Sequence, residues 1–144
     1  MTTASEVTSE PNQAEAALGP AQKKAQAKFN DEIKSNSAQL DERFGRKLEV
    51  HADFSTFKEA DWASQSVSSR GNEVLRGIYQ LSDDVDYRPE LIKHLKEVRF
   101  SFDGTPGPAL QSITFKDGTL SFSAHKTHNN LLDVTYKVLK TALG

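Results

Sequence analysis

Residues 98–124 read VRFSFDGTPGPALQSITFKDGTLSFSA, and this stretch decides the fold. Apolar and polar residues alternate in three runs, 98–102, 112–116 and 119–124. This alternation predicts three strands, each with one buried face and one solvent-exposed face. Asp117-Gly118 separates the last two runs, and its tolerance of positive φ suits a two-residue hairpin turn. The position of the turn and the alternation of apolar and polar residues predict the same register for these two strands. The expected pairs on the buried face are Phe115–Leu120 and Ile113–Phe122. Those on the solvent-exposed face are Lys116–Thr119, Thr114–Ser121 and Ser112–Ser123.

A fourth strand and several helices are predicted outside this stretch. Leu48, Val50, Ala52 and Phe54 alternate with polar residues, which indicates another half-buried strand. Apolar residues at helical spacing predict helices over 21–44, 67–81, 89–95 and 129–143, although Gly71 weakens the prediction of one unbroken helix in the second range. These elements predict a two-layer α+β sandwich, with a mainly antiparallel four-stranded sheet and helices packed on one face.

The N-terminal segment differs in composition from the rest of the chain. Residues 1–20 hold three Glu, no Lys or Arg, two Pro and no aromatic residue, so we expect a disordered tail before a single domain over 21–144. Such a polar tail resembles the tether of a bacterial lipoprotein, and it equally suits a cytosolic protein with a loose N-terminus. Both a tethered periplasmic location and a cytoplasmic one stay open. No apolar run reaches membrane-spanning length.

Charge and cysteine content narrow the classes of partner. The 144 residues carry 18 basic and 20 acidic side chains. This near-neutral balance argues against binding to nucleic acid or to charged membrane surfaces. The element order from Pro89 to Leu143 resembles that of double-stranded RNA-binding domains, which place basic residues at the start of the last helix. Residues 125–130 hold only one Lys there, so we expect no nucleic acid. The absence of cysteine excludes disulfides and thiolate metal sites.

The leading functional hypothesis is a non-enzymatic binding or accessory protein, associated with the bacterial envelope, that docks another protein through the polar face of its sheet. No cofactor and no metal are expected. Trp62 and Phe57 lie outside the regular elements and could anchor such a contact, because aromatic side chains dominate binding hot spots, or they could simply close the core. The predicted partner-binding residues are Glu49, His51, Asp53, Trp62, Arg99, Thr114, Ser121, Ser123 and His125.

The alternative hypothesis is a small hydrolase or metal-dependent enzyme. The sequence has no nucleophile elbow and no phosphate-binding glycine loop, so no catalytic residue can be named from a motif. If the first strand neighbours the last, however, His51 and Asp53 could converge with His125 and His128. Nitrogen and oxygen ligands of this kind suit a metal site. Convergence of the four side chains would favour the enzyme, whereas a flat polar face would favour the binding protein.

Overall fold

A computed structural model describes residues 18–58 and 67–144 of the chain. Within these ranges the helices are α1 (Pro20–Phe44), α2 (Val67–Ser82), α3 (Arg88–His94) and α4 (Leu131–Leu143). The strands are β1 (Glu49–Asp53), β2 (Glu97–Ser101), β3 (Ile113–Lys116) and β4 (Thr119–Ser123), and short 3-10 turns occupy Phe54–Thr56 and Ala109–Ser112. Four helices and a four-stranded sheet confirm the predicted α+β class.

The prediction of a mainly antiparallel sheet is wrong, because the sheet is mixed. The strand order is β1-β2-β4-β3, with β1 and β4 both parallel to β2 and only the β3–β4 pair antiparallel. The chain between β1 and β2 carries α2 and α3, which return it to the starting end of the sheet, so the two strands run parallel. Residues 102–112 then carry the chain past the position of β4 to the far edge.

The hairpin is confirmed where the sequence predicts it. Asp117 and Gly118 both have positive φ, 52° and 83°, and form the turn. The observed pairs are Ile113–Phe122, Thr114–Ser121, Phe115–Leu120 and Lys116–Thr119, as predicted. Ser112 belongs to the preceding 3-10 turn, so the expected pair with Ser123 does not extend the ladder.

The core lies between one face of the sheet and the helices. Phe100 of β2 and Phe122 of β4 are buried, and the Phe29 ring of α1 contacts the Phe100 ring in an edge-on arrangement at 5.5 Å. α2 packs between α1 and α4, and α4 also contacts β3. The sheet residues that alternate with the buried ones are polar and are half-buried or exposed. The sheet thus has one apolar face and one polar face.

Helix α2 runs without a break through Gly71 and Gly77, and both glycines permit close packing. A Cβ at Gly71 would lie 2.6 Å from the Phe29 ring, and a Cβ at Gly77 would lie 2.6 Å from the backbone oxygen of Leu132 in α4. A glycine that weakens the helical pattern in the sequence is therefore used here for contact between helices.

The described residues include three that precede the expected domain boundary at residue 21. Most of the predicted tail, residues 1–17, lies outside the described residues. Leu18 is buried at 7% exposure, and Gly19 donates its N–H to Gln22 Oε1 at 2.8 Å. These residues belong with the folded domain because Gln22 Nε2 also donates to the Phe57 carbonyl at 2.9 Å. None of the helices within the described ranges has the length and apolar composition of a membrane-spanning segment.

Candidate functional site

Three rows of polar side chains cross the sheet on the face opposite the core. Side chains alternate along each strand, so the register that buries Val98 and Phe100 places their neighbours on the outer face. The first row is Glu49, Glu97, Thr119 and Lys116; the second is His51, Arg99, Ser121 and Thr114; the third is Asp53, Ser101 and Ser123. We call these eleven residues the polar face.

Glu97 is the centre of the charged half of the polar face. Its Oε2 lies 2.9 Å from Arg99 Nη2 and 3.4 Å from His51 Nε2. Its Oε1 accepts a hydrogen bond from the Thr119 hydroxyl at 3.3 Å. Glu49 Oε1 lies 3.5 Å from the same nitrogen, so two carboxylates are close to His51 Nε2.

These side chains differ in their exposure to solvent. The Glu97 side chain is 21% exposed, whereas those of His51 and Arg99 are 51% and 61% exposed. The more covered carboxylate therefore holds its neighbours in place, while the imidazole and the guanidinium stand at the surface. Arg99 keeps donors available because a guanidinium has five and Glu97 uses only part of them.

Sequence reasoning missed Glu97, although a signal for it was present. The predicted strand began at Val98, one residue too late, whereas β2 begins at Glu97. Extending the alternation backward by one residue assigns Glu97 to the same face as Arg99. Its role between Arg99 and His51 could not be predicted, because it depends on which strand lies beside β2.

The other half of the polar face carries hydroxyl groups. Ser101 of β2 donates to Ser123 of β4 at 3.3 Å between the two Oγ atoms, and Thr114 faces Ser121 across the hairpin. Hydroxyls both donate and accept, so they adapt to either kind of partner group. Neither half of the polar face carries a Phe, Tyr or Trp side chain.

Asp53 and Phe57 each have local contacts within the described part of the chain. The Asp53 carboxylate accepts hydrogen bonds from the backbone N–H of Ser55, at 3.0 Å, and from its hydroxyl, so it caps the Phe54–Thr56 turn. Trp62 lies outside the described residues. Phe57 is buried, with its ring 6.0 Å from that of Phe102, and therefore belongs to the core.

His125 and His128 contact each other in the loop between β4 and α4, away from His51. The His128 ring is buried, and its Nδ1 accepts the backbone N–H of His125 at 3.0 Å. Its Nε2 lies 3.0 Å from the Thr105 carbonyl, which can only accept, so this nitrogen carries the proton. Burial lowers the pKa of His128; the bond to Thr105 opposes this shift, and the nearby His125 and Arg70 add to it. The His128 ring is therefore neutral and connects two loops through its hydrogen bonds.

The structure does not bring His51, Asp53, His125 and His128 together as one site. Register places Asp53 two strands from Ser123, at about 10 Å, and His125 lies two residues beyond that serine. Over the described ranges no three His, Asp or Glu side chains are grouped so that they could hold a metal ion. Of the residues proposed for the alternative enzyme site, His125 and His128 contact each other, whereas His51 and Asp53 have other contacts.

The arrangement that remains is a polar face that no helix or strand of the described residues covers. It presents a guanidinium, an imidazole and a lysine beside carboxylates and hydroxyls, so it can form hydrogen bonds and ion pairs with another surface. Searches against protein-family models, curated proteins and solved structures find no match to this chain.

Proposed function

We propose that this protein is a non-enzymatic binding protein that docks a partner protein through its polar face. The observation that supports this proposal most directly is the asymmetry of the sheet. The core covers one face, while the opposite face has polar side chains whose mutual contacts already hold them in place. Side chains ordered before binding lose less conformational freedom on binding, which favours docking.

The chemistry of the face indicates what the partner presents. Arg99 is the best anchor, because arginine is enriched at binding hot spots and its planar group pairs with carboxylates through two hydrogen bonds. The hydroxyl half, represented by Ser121 and Ser123, suits backbone carbonyls and amides. We therefore expect a partner surface with a carboxylate opposite Arg99 and polar groups around it.

The area of the face limits the kind of complex that it can form alone. Four strands about 4.8 Å apart, with up to five residues at about 3.3 Å each, cover about 300 Å². A standard stable interface buries about 800 Å² on each partner. A partner confined to the polar face therefore forms a transient complex, and a stable complex requires contacts beyond the sheet.

The test compares two charge reversals on opposite sides of the molecule. Arg99→Glu changes the polar face, whereas Lys137→Glu makes the same charge change at an exposed position of α4. Immobilised parent, Arg99→Glu and Lys137→Glu proteins are exposed to an extract of the source cells, and retained proteins are quantified by mass spectrometry. A candidate is then purified and titrated against all three.

The expected partner binds the parent and Lys137→Glu alike and binds Arg99→Glu at least tenfold more weakly. Reversing the partner's own carboxylate should restore part of the lost affinity. Equal binding to the parent and Arg99→Glu would place the contact elsewhere and contradict docking through this face. Circular dichroism on each variant confirms that the fold is retained.

A further inference from the structure

We infer that the His128 side chain holds residues 103–108, here called the proline loop, against the loop that follows β4, and that a second proton on its ring releases them. The release is a pH-dependent change in one loop. It goes beyond the proposed docking function and is measured without a partner. Any effect on docking at the neighbouring Ser123 rests on that function, whereas the release itself does not.

The proline loop is held in place by few contacts. The Gly104 N–H donates to the Ala124 carbonyl at 3.0 Å, and the Thr105 carbonyl accepts the Nε2–H of His128 at 3.0 Å. Over the described ranges no other hydrogen bond joins this loop to a distant part of the chain. Its residues from Thr105 onward are exposed, so no buried side chain adds to these two bonds. Loss of the His128 bond therefore leaves one hydrogen bond to hold the loop.

The loop that carries His128 is anchored more firmly. Within it, the Lys126 carbonyl accepts a hydrogen bond from the Arg70 guanidinium of α2. At its end, the Leu131 N–H donates to Glu73 Oε1, also of α2, at 3.1 Å. These contacts with α2 do not involve the His128 ring, so they persist when the ring moves. Separation of the two loops should therefore displace the proline loop and leave the loop before α4 in place.

A second proton on His128 is incompatible with the contacts that its ring makes. The ring is buried, packs against the Phe122 ring and already donates its Nε2–H. The new proton would go to Nδ1, which accepts the His125 N–H at 3.0 Å, so two donors would face each other. A buried charge without a partner for its second N–H is costly. The charged ring therefore turns toward solvent, and this movement breaks the bond to Thr105.

The surroundings of the ring also disfavour its charged form. Burial has the largest effect, and the His125 ring, 5.8 Å away, and Arg70 of α2 add to it. The bond to the Thr105 carbonyl favours the charged ring but offers no acceptor for the second N–H. The other charged groups of the two loops are exposed and form no ion pair with the ring; they are Asp103 and Lys126. No described neighbour therefore compensates the second charge on His128.

The test follows the loop and the ring together by NMR on the full chain labelled with ¹⁵N and ¹³C. As the pH falls from 7.5, the amides of Gly104, Thr105 and Gly107 should lose order, which the ¹⁵N heteronuclear NOE measures. The midpoint of this loss should coincide with the titration of the His128 ring and lie below pH 6.5. The Asp117-Gly118 turn, which has no hydrogen bond to either loop, should keep its order throughout.

Three variants identify the group that is responsible. His128→Gln does not titrate in this range but can still donate and accept, so the proline loop should stay ordered at pH 5.5. His128→Ala removes the bond to Thr105, so the loop should be mobile at pH 7.5 as well. His125→Gln is the matched control, because it removes the neighbouring titratable ring and retains His128. In this variant the pH-dependent loss of order should persist.

Several results would overturn the inference. The first is a proline loop that keeps its order in the parent while the His128 ring titrates. The second is a transition that disappears in His125→Gln, which would assign it to the other ring. Parent-like order of the loop in His128→Ala at pH 7.5 would show that the ring does not hold it. Loss of order throughout the domain at the same midpoint would indicate unfolding instead. Arg99→Glu should leave the transition unchanged, which distinguishes the release from docking through the polar face.

Discussion

At the scale of single residues, burial decides what His128 can do. The ring is 3% exposed and packs 5.6 Å from the Phe122 ring. Its Nδ1 accepts the His125 N–H and its Nε2 donates to the Thr105 carbonyl, so both ring nitrogens are used. A second proton would place an N–H on Nδ1 against the His125 N–H. The folded state therefore favours the neutral ring, which is why the pKa of His128 is lowered.

This lowered pKa predicts a loss of stability in mild acid. The unfolded chain takes up a proton near the ordinary pKa of 6.5, whereas the folded chain does so only at lower pH. Between these two values the unfolded state binds more protons, so the free energy of unfolding decreases as the pH falls. The contribution of neutral His128 is complete above pH 6.5 and is lost progressively below it. Urea unfolding at pH 7.5 and 5.5 measures this loss.

His128→Gln should reduce the acid loss, because an amide can donate and accept but does not titrate in this range. His94→Gln is the matched control, since His94 is exposed and lies 3.5 Å from Glu90 on the surface. The parent and His94→Gln should lose similar stability between the two pH values, and His128→Gln should lose less. An unchanged pH dependence in His128→Gln would show that this ring is not the sensitive group.

Single residues also mark the limit of what could be predicted about the polar face. Alternation correctly places His51, Arg99 and Ser121 on one side of the sheet, because side-chain direction is a local property of a strand. It cannot assign partners across strands. The contact between Glu97 and His51 depends on which strand lies beside β2, whereas Arg99 is two residues from Glu97 and the Ser55 that Asp53 caps is two residues from Asp53.

At the scale of elements, the packing of α2 against α4 depends on the absence of a side chain at Gly77. A Cβ at Gly77 would lie 2.6 Å from the Leu132 oxygen and 3.0 Å from Thr135 Cβ. Alanine is the better helix former, by about 1 kcal/mol. Overpacking a close contact costs about 1–3 kcal/mol. The clash involves a backbone oxygen that cannot rotate away, so packing should outweigh propensity at this position.

Gly77→Ala should therefore destabilise the protein, by up to about 2 kcal/mol after the gain in helix propensity. Arg76→Ala is the control, because Arg76 is an exposed neighbour in the same helix and its change should stay within about 0.5 kcal/mol. Urea unfolding of the two variants measures both effects. A Gly77→Ala protein at least as stable as the parent would mean that the two helices can separate without cost.

At the scale of the whole molecule, predictability follows the length of the connections. The β3–β4 register was predictable because a two-residue turn and two alternating strands specify it locally. The parallel pairing of β2 with β1 and β4 was not, because long connections permit either direction and either neighbour. The separation of His51 from His125 follows from the same strand order. The strand order, which no local pattern contains, therefore determines that these side chains do not converge.

The buried position of Leu18 leads to a prediction about the residue at which the folded domain begins. Leu18 is buried, and the Gly19 carbonyl accepts the Lys23 N–H at 3.0 Å in the first turn of α1. Removing residues 1–17 should leave the melting temperature unchanged, since their composition offers little apolar surface to bury. Removing residues 1–20 also removes a buried leucine, whose burial contributes about 1.5–3 kcal/mol to the free energy of unfolding. The longer truncation should therefore melt several degrees lower, and Leu18→Ser in the full chain should reproduce most of that loss. Equal melting of the two truncations would exclude Leu18 from the core, whereas a loss on removing residues 1–17 would show that they pack against the domain.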